Sequence, residues 1–339
     1  MKKRILITLA AILVICLLLA FLQTLVIPKY ADDKTKEGSL VSEYYAEAGG
    51  HDVLFVGDCE IYESFVPAVL WEKYGISSYV RGSPQQLVWQ SYYLLEEMLE
   101  YETPNAVVFN VFSLKYGEPQ SEPYNRMTLD GMRWSSSKID AINASMTDEE
   151  SFIEYVFPIL RFHSRITQLT SQDFKYAFGS PKVSHSGYLM QTGVDPQTDF
   201  SKGRTELDYE ISDNAWKYLD MMRALCEENG IELILVKAPT NTMKYWWHDE
   251  YEEQISEYAE ENRLSYYNFI PLAGEIGIDW STDTYDKGAH LNVYGAEKLT
   301  EYFGRILSED FGIEDRRTDA SLSEAWDVRL ESYYKERNG

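Results

Sequence analysis

Asp52-Val53-Leu54-Phe55-Val56-Gly57-Asp58-Cys59 is the stretch on which the fold turns. Residues 52–56 form a short apolar run with no polar alternation, and a glycine closes it. Such a run predicts a strand buried on both faces. The period then changes. Residues 61–74 carry apolar side chains at helical spacing and stop before Gly75. A strand, a sharp turn and a helix place Asp58 and Cys59 at the carboxyl end of the strand.

The same unit recurs on either side. Residues 78–80 read as a strand ending at Gly82, residues 84–101 as a helix with Pro84 in its first turn, and residues 106–112 as a third buried strand. Further on, Ser212 or Asp213 caps a helix that runs to Asn229 and ends at Gly230. Residues 231–236 are a strand, 247–263 a helix, 265–268 a strand and 291–307 a last helix. Alternating strands and helices predict an α/β fold, a three-layer α/β/α sandwich with a mostly parallel sheet. Ligands of such sheets sit at the carboxyl ends of the strands. The regularity fails over residues 113–210, where 149–169 is a plausible helix and 171–204 reads as loop. That stretch is expected to be a large insertion in an α/β domain spanning 51–311. Residues 312–339 read as a polar tail.

The start of the chain is of another kind. Residues 5–27 hold no charge and are mostly Leu, Ile, Val and Ala, long enough to cross a bilayer as a helix. Lys2, Lys3 and Arg4 precede them, and Pro28 and Lys29 close them. Positive flanks stay cytoplasmic, so residues 1–29 read as a single-pass plasma-membrane anchor, residues 30–50 as a stalk, and the remainder as extracytoplasmic. A cleaved signal peptide is the rival, but its apolar core is ordinarily shorter and no small-x-small cleavage site precedes Lys29. The 339 residues carry a net charge of −24, and the chain beyond the three N-terminal bases carries −27. Such a body should repel nucleic acid and anionic membrane surfaces, and no Lys/Arg run offsets this.

Four places should converge at one edge of the sheet: Asp58-Cys59, Gly82-Ser83, Asn110, and the last loop with Asp283, Asp286 and His290. Cys59 begins a helix, where free N–H groups favour a thiolate, while Asp58 and Glu60 oppose one. His290 can take the thiol proton and Asp286 can orient the imidazole, with Asp283 in reserve. The N–H groups of Cys59 and Gly82 and the Asn110 amide can hold an oxyanion. Asp58, Ser83, Arg126, Trp134 and Lys237 are candidate substrate contacts; Trp246 and Trp247 are further candidates for stacking on a sugar. Each residue also has a plainer reading. Cys59 fits a small core side chain, His290 a cap, Asn110 a strand-end hydrogen bond, Arg126 and Trp134 packing of the insertion. The chain has no Walker loop, no Gly-x-Gly-x-x-Gly and no His-Glu-x-x-His, and its five His lack zinc spacing. No cofactor or metal is expected.

Together these residues resemble the SGNH (GDSL-type) hydrolases and acyltransferases. The family's Gly-Asp-Ser block corresponds to Gly57-Asp58-Cys59, its oxyanion Gly to Gly82, its oxyanion Asn to Asn110, and its Asp-x-x-His block to Asp286 and His290. The likeness covers residues 50–112 and 212–308. The run at 290–296, His-Leu-Asn-x-x-Gly-Ala, is most similar to membrane-linked members: alginate and peptidoglycan O-acetyltransferases and the D-alanyl transfer protein of teichoic acid synthesis. The resemblance implies a flavodoxin-like sheet and an acyltransferase or esterase acting on ester groups of an envelope polysaccharide or teichoic-acid-like polymer. It also implies a polytopic acyl-export protein as partner. Two departures stand out: Cys59 replaces the family's Ser, and the Asp–His spacing is one residue longer. A thiol at this position fits a thioester intermediate or a lost hydrolase activity, and the two departures support the alternative of an inactive binding or scaffold protein on the same fold.

Overall fold

The computed structural model describes residues 2–29, 36–179, 182–198, 208–242 and 247–339. Its centre is one five-stranded sheet of β1 (Val53–Gly57), β2 (Ser78–Gly82), β3 (Ala106–Asn110), β4 (Glu232–Lys237) and β5 (Ser265–Asn268). The order is β2-β1-β3-β4-β5, and every pairing is parallel. Alternate residues of each strand separate into two cores. Val53, Phe55, Val80, Val108 and Ile234 face one layer; Leu54, Val56, Tyr79, Val107 and Leu235 face the other. Two covered faces explain the unbroken apolar runs, and the chain is a three-layer α/β/α sandwich.

The helices, in chain order, are α1 (Lys2–Val26), α2 (Leu40–Glu43), α3 (Cys59–Tyr62), α4 (Pro67–Tyr74), α5 (Val88–Met98), α6 (Glu122–Leu129), α7 (Ser136–Ser145), α8 (Phe152–Val156), α9 (Ile159–Phe162), α10 (Ser171–Tyr176), α11 (Asp213–Asn229), α12 (Asp249–Asn262), α13 (Ala273–Ile276), α14 (Val293–Glu309) and α15 (Ala320–Arg337). α4 and α14 cover one face, with Ala296, Leu299, Phe303 and Leu307 forming the inward stripe of α14. α5, α11 and α12 cover the other. The sheet order reverses between β1 and β3, so a crevice opens at their carboxyl ends. α1 is an apolar helix of 25 residues, exposed along most of its length and long and apolar enough to cross a membrane.

Several expectations change in the structure. The helix expected over 61–74 is two helices, because Pro67 has no N–H to continue one and instead starts α4. Val66, just before it, donates its N–H to Thr300 Oγ1 at 2.9 Å. Pro158 likewise divides the helix expected over 149–169 into α8 and α9, followed by a 3-10 stretch, His163–Gln168. The stalk is packed where it is described: Val41 sits with Leu129, Met132 and Ile142, and the Tyr44 ring meets Tyr79 at 5.2 Å. The C-terminal segment is a docked helix rather than a tail. Trp326 of α15 is fully buried and stacks on Trp71 at 5.4 Å. Polar residues predominate in α15, so its two anchoring aromatics, Trp326 and Tyr333, are easily overlooked. All three cysteines are free, with Cys226 in the core.

Candidate active site

β1 delivers Asp58 to the N-cap of α3, where its Oδ1 accepts from Glu60 N at 3.1 Å. Cys59 is the first helical residue and is partly exposed. Its Sγ lies 3.1 Å from Nε2 of His290. On the other side of that ring, Nδ1 meets Asp286 Oδ2 at 2.6 Å, and Asp286 Oδ1 accepts the His290 N–H at 2.8 Å. The Nδ1 proton is assigned from this contact, which leaves Nε2 to face the sulfur. The longer Asp–His spacing is taken up by a tight turn. Lys287 and Gly288 both adopt positive φ, at 65° and 81°, and Gly288 N donates to Thr284 Oγ1 at 2.9 Å. A non-glycine residue in that region is costly, which marks a loop held by its surroundings. The holding groups are Asn241 N and Thr240 Oγ1, both donating to Gly288 O.

Glu63 is the residue that sequence reasoning missed. It ends α3 on the far side of the imidazole, with Oε2 at 3.6 Å from His290 Nδ1. Tyr285 OH donates to both of its oxygens at 2.9 Å, and Gln191 Nε2 donates at 3.2 Å. Burial pushes Glu63 up to about 7 even though the His290 charge and these hydrogen bonds pull it down. Burial also acts to raise Asp286, but the hydrogen bonds and charge of His290 hold it below its ordinary value. Burial disfavours the imidazolium of His290, yet the charges of Cys59 and Glu63 and the Asp286 hydrogen bond hold its pKa well above the usual range. The Cys59 thiol is pushed up to about 11 by burial, with His290 acting against the shift. Each charge favours the other, so a neutral thiol beside a neutral imidazole and a thiolate beside an imidazolium are two placements of one shared proton.

Beneath the thiol lies a second network. Asn110 Nδ2 donates to Asp58 Oδ1 and Glu60 Oε2, each at 3.1 Å, and its Oδ1 accepts from Ala238 N at 3.3 Å. The Asn110 amide is thus committed to two carboxylates and is not free for an oxyanion, contrary to expectation. Lys237 is fully buried and grips both Glu60 oxygens at 2.9 Å, so it is a structural cation rather than a substrate contact. Burial, and then the charge of Glu60, push Asp58 up to about 7. This network clamps the carboxyl ends of β1, β3 and β4 together.

The other expected residues fall elsewhere. Asp283 is turned away from His290, onto Lys298 Nζ at 2.6 Å and Asp279 N at 2.8 Å. Ser83 is buried, bonding Gln86 Oε1 at 3.0 Å and Thr128 Oγ1 at 2.5 Å. Gly82 pairs in register with Gly57; a Cβ there would come within 2.8 Å of the Gly57 carbonyl and 2.9 Å of the Tyr62 ring. Arg126 is buried between Glu122 and Asp130 with its guanidinium 4.1 Å over the Tyr155 ring. Trp134 is exposed under Lys138, and Trp247 is buried 5.8 Å from Lys237 Nζ. Trp246 lies outside the described residues.

A cleft of about 100 Å³ opens over Cys59 and His290. Phe112, Tyr116 and Ala289 wall it, and Gln85 stands at its lip. Gln85 has φ of 51°, and its side chain has no hydrogen-bond partner among the described residues. Part of the insertion laces the site together. Leu189 N donates to Tyr62 O and Val293 N to Gln191 O, while Asp195 exchanges bonds with the loop before His290 through Thr284 O and Lys287 N. Asn292 adds a bond to Gly193 O at 2.8 Å. Residues 184–195, expected as loop, thus strap α3 to the loop that carries His290. Among the described residues no group of three or more His, Cys, Asp or Glu is arranged to hold a metal ion.

No protein-family model matches this chain, and no curated protein matches it.

Proposed function

We propose that the protein is an acyl-transferring enzyme of SGNH type that works through Cys59, His290 and Asp286. The observation that carries this reading is the chain of contacts from Cys59 Sγ to His290 Nε2 at 3.1 Å and from His290 Nδ1 to Asp286 at 2.6 Å. Cys59 is partly exposed and lines the cleft, which supports the reading because a small ester could reach it there.

In this reading Sγ attacks the carbonyl carbon of an ester while His290 Nε2 takes the thiol proton. The Cys59 N–H at the start of α3, with Gln85 at the lip, faces the developing oxyanion. The tetrahedral species breaks its carbon–oxygen bond, and His290 returns the proton to the leaving alkoxide. A hydroxyl of the acceptor, or water, then attacks the thioester carbonyl. His290 takes that hydroxyl's proton and gives it to the departing sulfur. Asp286 holds the ring and supports its positive charge throughout. A cleft of about 100 Å³ suits a two- or three-carbon acyl group rather than a fatty chain. The basic start of the chain favours α1 as a plasma-membrane anchor with the α/β domain outside. The resemblance of residues 290–296 supports an envelope glycan or teichoic-acid-like polymer as acceptor and a polytopic acyl exporter as partner.

The test is intact-mass spectrometry of the full chain in detergent after exposure to p-nitrophenyl acetate. An acetyl adduct that maps to Cys59, is lost in Cys59→Ala, is slowed in His290→Ala and turns over on adding an acceptor is expected. An adduct as strong in Cys59→Ala as in the parent, or none in the parent with any small activated ester, would sink the proposal.

A further inference from the structure

We infer that the insertion is a membrane-embedded foot: the outer face of α8, α9, α10 and the 3-10 stretch between them sits in the apolar edge of the lipid bilayer around the end of α1. This rests on the reading of α1 as a membrane span.

The argument begins with the length of α1 that is left bare. Residues 2–21 are exposed throughout, whereas Leu25 and Val26 are buried. The insertion supplies cover there, because α9, α10 and the 3-10 stretch pack against α1. Arg165 Nη1 donates to the Val26 carbonyl at 2.6 Å, fastening the insertion to the last turn. The bare apolar part, residues 5–21, is therefore about 25 Å long at 1.5 Å per residue. A bilayer's hydrocarbon core is about 30 Å thick. The shortfall of about 5 Å falls on the segment wrapped around residues 22–26, whose outer surface must then face lipid.

That surface has the composition the position requires. Ile153, Phe157, Leu160, Ile166, Phe174 and Phe178 are all exposed, at 44% to 82%. Six large apolar side chains on one small unit are far more than scattered surface residues would supply. Phe178, the most exposed of them, meets the Phe21 ring at 5.9 Å. Phe21 lies five residues before the end of α1, so Phe178 reaches about 7 Å below the top of the span. Charge agrees. Residues 152–178 hold Arg161, Arg165 and Lys175 against Glu154 and Asp173, a slight positive excess in a chain of −24. The unit thus lacks the net negative charge that would oppose contact with anionic headgroups. Such a foot fixes the height and tilt of the domain, and so where the Cys59 cleft stands over the membrane.

The full chain, with p-benzoylphenylalanine in place of Phe157, Phe174 or Phe178, is reconstituted into vesicles of phosphatidylethanolamine and phosphatidylglycerol and irradiated. Lipid adducts are read by mass. The same residue at Leu13 reports the span, and at Val328, exposed on α15, the collisional background. Adducts at the three insertion positions with yields like that of Leu13 and well above that of Val328 are expected. A strong Leu13 adduct with the insertion positions at the Val328 level overturns the inference, leaves the span intact and frees the patch for a protein partner. No adduct at Leu13 overturns the membrane-spanning reading itself, and the inference with it.

Discussion

His290 has two carboxylates within reach of one nitrogen, and this makes the effect of Asp286→Asn quantitative. In most triads of this kind the loss of the orienting carboxylate costs about 10⁴ in rate. Here Glu63 stands behind Asp286 at 3.6 Å, against 2.6 Å for Asp286 itself. At an effective dielectric of about 20, an imidazolium paired at these two distances differs by about 2 kcal/mol. That is a factor of about 20 to 30 in rate. Asp286→Asn should therefore lose about 20- to 30-fold in the rate of Cys59 acetylation, followed by intact mass under single-turnover conditions. Adding Glu63→Gln should carry the loss toward about 10⁴, while Glu63→Gln alone should cost little. The substitute works only when ionised, and Glu63 is held up to about 7. The Asp286→Asn rate should then rise with pH through a step at or just below that value, since removal of the Asp286 charge relaxes Glu63 downward. The step should vanish in the double variant. A full 10⁴-fold loss in Asp286→Asn, flat with pH and not deepened by Glu63→Gln, would refute Glu63 as a partner of the imidazole.

Three further outcomes follow from the packing. Lys237→Met strands a buried Glu60 beside Asp58 and should cost about 3–5 kcal/mol in urea unfolding, most of it recovered by adding Glu60→Gln; a single variant within experimental error of the parent would show that the buried pair does not hold the strand ends. Trp326→Ala should cost about 3–5 kcal/mol and abolish amide protection across α15, whereas a dispensable tail would lose nothing. Raising the pH from 5 to 8 should lower the unfolding temperature. Asp58 and Glu63, both pushed up to about 7, bind protons more tightly folded than unfolded, so their stabilisation is complete below the unfolded carboxyl range and lost as pH rises through about 7. Glu63→Gln should flatten that slope, and an unchanged slope would mean that Glu63 does not titrate there.

The layered fold was legible because burial on both faces leaves a simple mark. Apolar runs such as 53–56 and 106–109 end in turn residues, and the structure places strands there to within a residue or two. Local chemistry was less legible where a single residue overrules a pattern. Pro67 and Pro158 interrupt stretches whose apolar spacing is helical, and α15 hides two anchoring aromatics in a polar sequence. The site divides the same way. Cys59, Asp286 and His290 stood out because their residue types fall at strand and helix ends. Glu63 did not, because it reads as one more acid in an acidic chain.

By itself the sequence determined the order of the elements, the apolar first helix and the edge of the sheet at which chemistry belongs. These depend on period and on neighbours in the chain. Only the tertiary structure decided which groups meet. Cys59 and His290 are 231 residues apart and touch because a parallel sheet brings both loops to one edge. Asn110 and Lys237, which looked ready for a substrate, turn to Asp58 and Glu60 because buried carboxylates must find donors in the interior. The irregular insertion becomes both a strap across the site and a cradle for α1, since its contacts are made with distant parts of the chain and leave no periodic trace.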